Sequence, residues 1–324
     1  MGRTETIDTA RILYWSGTSA TIRFSGASLS ATLKDEHGDN YFYVVIDNEV
    51  QARIHPDSTQ HEYVLADHLP AGIHTATLFK LTEGTMGKTW LYGFAIKGAA
   101  KVLPALPPPH RKMEFYGNSI TSGYSVDDTA GDSRKPEYFN NYKTYAAITA
   151  RHYGAAYSCI SKSGIGLLIS WFPIIMPEMY DRLDPNDANS HWDFNQYTPD
   201  VVVVDLMQND SWLVHKPDHA QFRARFGTTP PTDSAIVSAY TRFISSIRQK
   251  YPRATIICTL GSMDATAGES PWPGYVQQAV KHMNDTRILT HFFPFNYTGK
   301  HPKAKEQQAM ADELTAFIDA NVNW

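Results

Sequence analysis

From residue 1 to about residue 104, apolar and polar positions alternate in short runs: "ARILYW", "SATIRFSG", "SLSATLKD", "YFYVVIDNEV", "HEYVLAD", "GIHTATLFKL" and "WLYGFAIKG". Turn-forming residues such as Ser-Gly, His-Gly-Asp-Asn and Pro-Ala-Gly separate them. A period of two puts one face of each run toward a core, and seven or eight such runs at this spacing predict a β-sandwich of jelly-roll type. "LPALPPPHRK", residues 103–112, then interrupts the pattern. A proline cluster cannot donate to a sheet ladder and favours an extended spacer, so a domain boundary is expected within residues 105–111.

Residues 112–324 follow a different rule. Short apolar runs ("MEFYG", "AAYSCI", "DVVVVDL", "TIICTLG", "RILTHFF") alternate with longer stretches of helical period. Helices are expected at "YKTYAAITARHYG", near "IIMPEMYDRL", at "TDSAIVSAYTRFISSIRQKY", near "GYVQQAVKHM" and at "PKAKEQQAMADELTAFIDANV". Strands alternating with helices call for a parallel sheet covered on both faces, a three-layer α/β/α unit, and the four valines at 201–204 fit a central strand. In such sheets ligands bind at the carboxyl ends of the strands.

Those ends carry the chemistry. The first apolar run closes on Gly117-Asn118-Ser119, and the second leads to Ser163-Gly164-Ile165-Gly166. The third leads to Gln208-Asn209-Asp210, and the segment after the last reaches His301-Pro302. Acyl transfer needs this set. A serine hydroxyl attacks once a base such as His301 takes its proton. The Ser119 and Gly164 backbone N–H groups and the Asn209 side-chain amide can meet the oxyanion. Alone, each block reads as a turn, a helix cap or a surface histidine; four in this order read as a site.

The four blocks resemble those of the SGNH (GDSL-like) hydrolase superfamily. With the preceding β-sandwich, the whole chain resembles the carbohydrate esterase family 2 acetylesterases, whose "GNSIT-GY", "SKSGIG" and "QNDSW"-like blocks it shares. The resemblance implies a flavodoxin-like catalytic layer with Ser119 as nucleophile, His301 as base, and Ser119, Gly164 and Asn209 as the oxyanion hole. It also implies removal of O-acetyl groups from carbohydrates such as plant cell-wall polysaccharides, with no cofactor and no metal, by a secreted or periplasmic protein. Two positions depart from the pattern. Asn118 stands where the superfamily usually has Asp, and Thr298 stands where an acid usually precedes the histidine by three residues. Either a Ser-His dyad or an acid from elsewhere, with Asp264 as the candidate, would complete the machinery. The alternatives are an SGNH enzyme acting on other small esters and a sugar-binding homologue without activity.

Composition narrows the partners. The 324 residues include 29 basic and 33 acidic ones, a net charge of −4 with no basic run, which argues against nucleic acid or an anionic membrane as partner. No apolar stretch is long enough to span a bilayer, and the start, "GRTETIDTARILYW", does not read as a signal peptide. Cys159 and Cys258 sit in apolar runs and read as buried free thiols. "HKPDH" at 215–219 spaces two histidines by four, but Pro217 breaks the helix a metal pair would need. Aromatic residues make up 12% of the chain. Trp171, Trp192, Trp212 and Trp272 are candidates for stacking on a sugar ring, with Trp212 and the neighbouring Asp210 nearest a catalytic block.

Overall fold

The computed structural model describes residues 1–98 and 100–324. The amino-terminal strands are β1 (Thr4–Ile7), β2 (Ala10–Leu13), β3 (Ser19–Ser25), β4 (Ser28–Asp35), β5 (Phe42–Ile46), β6 (Glu49–Ile54), β7 (His61–Ala66), β8 (Ile73–Lys80), β9 (Thr89–Lys97) and β10 (Lys101–Val102). They pair antiparallel in two sheets, ordered β1-β2-β9-β4-β7 and β10-β3-β8-β5-β6. The alternating pattern does what its period requires. Leu29, Ala31 and Leu33 of β4 point inward with Phe42, Val44 and Ile46 of β5 and Ala76 and Leu78 of β8, and together they form the core between the sheets. The short β1 and β10 lie outside the alternating runs and extend the two sheets at their edges.

The second half is a five-stranded parallel sheet: β11 (Lys112–Gly117), β12 (Ala156–Ser161), β13 (Val201–Asp205), β14 (Thr255–Leu260) and β15 (Ile288–Phe292). Its order is β12-β11-β13-β14-β15. The chain steps to one side of β11 for β12 and then returns to the other side for β13. That reversal opens a crevice at the carboxyl end of β11. The helices are α1 (Ser119–Ser122), α2 (Tyr145–His152), α3 (Gln208–Leu213), α4 (Ala220–Phe226), α5 (Asp233–Lys250), α6 (Trp272–Met283) and α7 (Ala304–Asn321). Strand side chains alternate between the two helical layers. Val201 and Val203 pack with α2 and α7, whereas Val202 and Val204 pack with α5 and α6. Helix α5 shows why its sequence is helical: Thr232 caps it by accepting from the Ala235 N–H. Ile236, Val237, Tyr240, Phe243, Ile244 and Ile247 then fall on one buried stripe. Each such side chain contributes about 1.5–3 kcal/mol by leaving water.

The helix expected near "IIMPEMYDRL" is a single 3₁₀ turn at Met176–Glu178. Beyond it the chain serves another purpose. The Arg3 guanidinium, at the very start of the sandwich, donates to the Tyr180 and Arg182 carbonyls at 2.6 and 2.9 Å. It also stands 3.6 Å from the fully buried Glu114 of β11. Carbonyls spent on an arginine from the other half are not available to a helix ladder. Trp15 Nε1 donates to the Leu183 carbonyl at 2.7 Å, so the same irregular segment fastens the sandwich to the parallel sheet.

Candidate active site

The site is built on the crevice at the end of β11. Asn118 caps the short α1 by accepting from the Ile120 N–H at 2.9 Å, and its amide also donates to the Asp205 carbonyl at 3.4 Å, which a carboxylate could not do. Ser119 follows it. Its Oγ lies 2.9 Å from His301 Nε2, although the two residues are 182 positions apart. His301 Nδ1 lies 2.7 Å from Asp132 Oδ2. An ionised carboxylate can only accept, so Nδ1 carries the proton and Nε2 is left to accept from the serine hydroxyl. Lys303 Nζ donates to Asp132 Oδ1 at 3.1 Å and is itself held by the Ser125 carbonyl and hydroxyl at 2.8 and 3.0 Å. Burial alone would raise the Asp132 carboxyl. The hydrogen bonds and charges of His301 and Lys303 outweigh it and hold the group well below the usual carboxylate range. Tyr124 fixes both partners: its ring lies 4.4 Å from the imidazole, centroid to centroid, and its hydroxyl donates to the Asp132 carbonyl at 3.1 Å.

Gly164 and Asn209 border the same cavity as Ser119 and His301. Gly164 takes φ +82°, a left-handed conformation that a side chain would strain. The amide of Asn209 is oriented at both ends: Nδ2 donates to the Ile165 carbonyl at 2.8 Å, and Oδ1 accepts from Trp171 Nε1 at 3.0 Å. This leaves the second Nδ2 proton for the cavity. Met207 precedes α3, the helix that carries Asn209, and its φ of +86° is uncommon outside glycine and turns the chain sharply as it leaves β13.

The structure separates the remaining candidates. Asp264 does not reach His301; its oxygens accept from Gln208 Nε2 at 2.7 Å and Trp212 Nε1 at 2.6 Å, which corrects the expectation that it could be the missing acid. Asp210 is fully buried and accepts from the Leu167, Leu168 and Ile169 N–H groups, so it shapes the loop after β12 and has no face for a substrate. Burial raises its carboxyl to about 6, opposed by these bonds. Gly166 completes that loop, since a Cβ there would stand 1.9 Å from the Ile169 carbonyl oxygen. Trp212 borders the cavity, and so does Trp171. Trp192 and Trp272 are buried core residues and cannot stack on a ligand. Both cysteines are buried thiols, and burial pushes Cys258 up to about 12.

The cavity measures about 430 Å³. One wall comes from the sandwich half: Glu83, Thr85 and Met86. Glu83 Oε2 accepts from the Ser163 N–H and hydroxyl, both at 2.7 Å, and so braces the residue before Gly164. Neither Asp132 nor Glu83 was a candidate from the sequence. The one cue to Asp132 was Thr298 itself: a base without its usual acid implies an acid from another loop.

A β-sandwich joined to a doubly wound sheet, with serine, histidine, glycine and asparagine at its carboxyl edge, defines the SGNH class of hydrolases. The chain belongs to the GDSL-like lipase/acylhydrolase family, whose model matches residues 115–316, and residues 1–108 match the carbohydrate esterase 2 N-terminal model. It is 33% identical over 322 residues to a cellulase/esterase, CelE, of Acetivibrio thermocellus, covering 96% of this chain and 38% of that protein. The chain therefore spans well under half of that relative. It is 25% identical to an acetylxylan esterase/glucomannan deacetylase of Cellvibrio japonicus, covering 100% of this chain and 88% of that one. A family two carbohydrate esterase from Clostridium thermocellum, solved in complex with cellohexaose, superposes with a TM-score of 0.87 at 31% identity over 98% of this chain and 97% of that one.

Proposed function

We propose that this chain is a carbohydrate acetylesterase that works through an acetyl-enzyme on Ser119. The observation that carries the reading is the unbroken line Lys303–Asp132–His301–Ser119, ending in a cavity bordered by Gly164 and Asn209. His301 Nε2 takes the hydroxyl proton as Ser119 Oγ attacks the acetyl carbonyl. Asp132 holds the Nδ1–H tautomer and stabilises the imidazolium that forms. The Ser119 and Gly164 N–H groups and the Asn209 amide receive the oxyanion. His301 then protonates the departing sugar oxygen, and the same base activates water to release acetate. The machinery is thus a triad whose acid comes from the loop after α1, and no cofactor enters it.

The sugar chain is proposed from the names of the relatives and from the shape of the cavity. Trp171 and Trp212 offer rings beside the nucleophile, and the sandwich supplies a wall. Acetylated plant cell-wall polysaccharide is the proposed substrate, and a secreted or periplasmic location goes with it. Among the described residues, no helix is long and apolar enough to cross a membrane. The same proposal divides the chain into a sandwich over 1–104, a spacer over 105–111 and a catalytic unit over 112–324. An acetate-release assay on acetylated xylan and glucomannan, with wild type and Ser119→Ala side by side, tests it. Release by the wild type alone supports the reading, and no release by either protein contradicts it.

A further inference from the structure

The cavity wall carries more positive charge than the reaction uses. Arg134 and Lys162 both line it together with Ser119 and His301. Among the described residues neither pairs with a carboxylate at ion-pair distance. Lys303, which acts through Asp132 in the reaction, is matched by contrast. The whole chain has more acidic than basic residues, so unmatched cations here do not reflect a general surplus.

The carboxylates near the cavity accept hydrogen bonds from other groups, although Glu83, whose donors are neutral, keeps its charge and favours the Lys162 ammonium. Glu83, the one acidic residue in its lining, accepts from Ser163 N–H and Oγ on Oε2 and from Thr85 Oγ1 on Oε1. Asp132 faces His301 and Lys303, and Asp264 faces Gln208 and Trp212. Lys162 is half-buried, with Nζ 4.7 Å from the centre of the Phe172 ring, and Phe172 is itself a lining residue. At the rim, Lys216 Nζ lies 4.7 Å from the centre of the Trp171 ring. Lys162 is thus held against a ring while Arg134 is exposed at the cavity wall, and both keep a charge that can meet an anion there.

We propose that the cavity takes sugar chains that bear an anionic group, a carboxylate or a sulfate, near the scissile ester, with Arg134 and Lys162 as its counter-charges. This deepens the esterase reading and rests on it for the ester itself. The guanidinium of Arg134 suits a planar carboxylate or a sulfate through paired N–H donors. The ammonium of Lys162 acts as a point charge beside the loop that carries Gly164.

Titration calorimetry on the wild-type protein tests the proposal with ester-free probes, so turnover plays no part. The probes are a neutral xylo-oligosaccharide, the same oligosaccharide with one glucuronic acid branch, and the same oligosaccharide with one sulfate. The expected result is binding of an anionic probe about tenfold tighter than the neutral one at low salt. That advantage should shrink as salt screens the pair and should collapse in Arg134→Gln/Lys162→Gln. The uronate and sulfate arms tell which anion the site prefers. Equal or weaker binding of both anionic probes, or an advantage that the double variant retains, overturns the proposal. Failure of the protein to release acetate from any ester would instead count against the esterase reading, whatever the probes do.

Discussion

Asp132 Oδ2 stands 2.7 Å from His301 Nδ1, and the two residues are 169 positions apart. This contact supplies, from the loop after α1, the carboxylate that Thr298 does not provide beside the histidine. Thr298 is otherwise engaged: its hydroxyl donates to Asn296 Oδ1 and to the Lys300 carbonyl, both at 3.1 Å. Asp132→Asn keeps the shape and removes the charge. It should lower kcat by roughly 10²–10⁴-fold, because the imidazolium formed during attack loses its counter-ion and the tautomer is no longer enforced. A variant with wild-type kcat would leave a dyad as the working unit.

Trp171 and Asn209 form a second pair that can be tested. Asn209→Ala removes an oxyanion donor and should reduce kcat by about 10²–10³-fold with little change in KM. Trp171→Phe keeps a ring but loses the indole N–H that holds Asn209 Oδ1. It should lower kcat less, by roughly tenfold, since the amide is then held only through the Ile165 carbonyl. Steady-state kinetics of the two variants on one small acetyl ester would show the order.

Much of this site follows from rules that local sequence obeys. Ser119, Gly164 and Asn209 stand where apolar runs end, and a parallel sheet brings such ends to one edge. The alternating runs of the first half and the amphipathic stripe of α5 are likewise local patterns. Asp132 is different. It lies in "SVDDTAGDSRKPEYFNNY", a polar loop with no period, with two other aspartates close by. Only the folded chain separates them: Asp127 is bound by Lys143, Arg53 and Asn140, and Asp128 accepts from the Ala130, Gly131 and Ser133 N–H groups. Asp210 misled for the same reason. Being next to a catalytic block in sequence, it looked like a substrate contact, but its helix turns it away from the cavity and into the backbone of the neighbouring loop. Where a helix was expected near residue 180, two carbonyls bond Arg3 instead, a partner that lies far outside any window of local sequence.

Asp210→Ala should therefore act on stability. It leaves the Leu167, Leu168 and Ile169 N–H groups buried without an acceptor, at a cost of about 1–3 kcal/mol for each unsatisfied group. Denaturant unfolding should show a loss of about 3 kcal/mol or more, and activity should fall because the Gly164 loop loosens.

Lys80 gives a prediction in pH. It is fully buried in the sandwich half, and its Nζ donates to the Tyr14 and Gly87 carbonyls at 2.7 and 2.8 Å. Burial lowers its pKa to about 7, partly opposed by Asp35 and other carboxylates nearby. The unfolded chain holds this proton up to about pH 10.4, so between the two values the unfolded state binds more protons than the folded one. Stability from this group rises with pH across that window and is lost as pH falls through about 7. Lys80→Met has no such proton to lose. The stability of the wild type relative to Lys80→Met should therefore increase from pH 7 toward pH 10, as read by chemical denaturation at each pH. A difference that stays flat over that range would place the ammonium in a more polar setting.

The central claim is an acetyl-enzyme on Ser119, and rapid mixing with 4-nitrophenyl acetate tests it most directly. The account predicts a burst of 4-nitrophenol close to one per protein molecule if deacetylation is the slower step. Quenched protein should then carry the mass of one acetyl group on the peptide containing Ser119, and Ser119→Ala should show neither signal. An active wild type whose quenched peptide never carries acetyl under any condition, or a Ser119→Ala variant that turns over as fast as wild type, would contradict it.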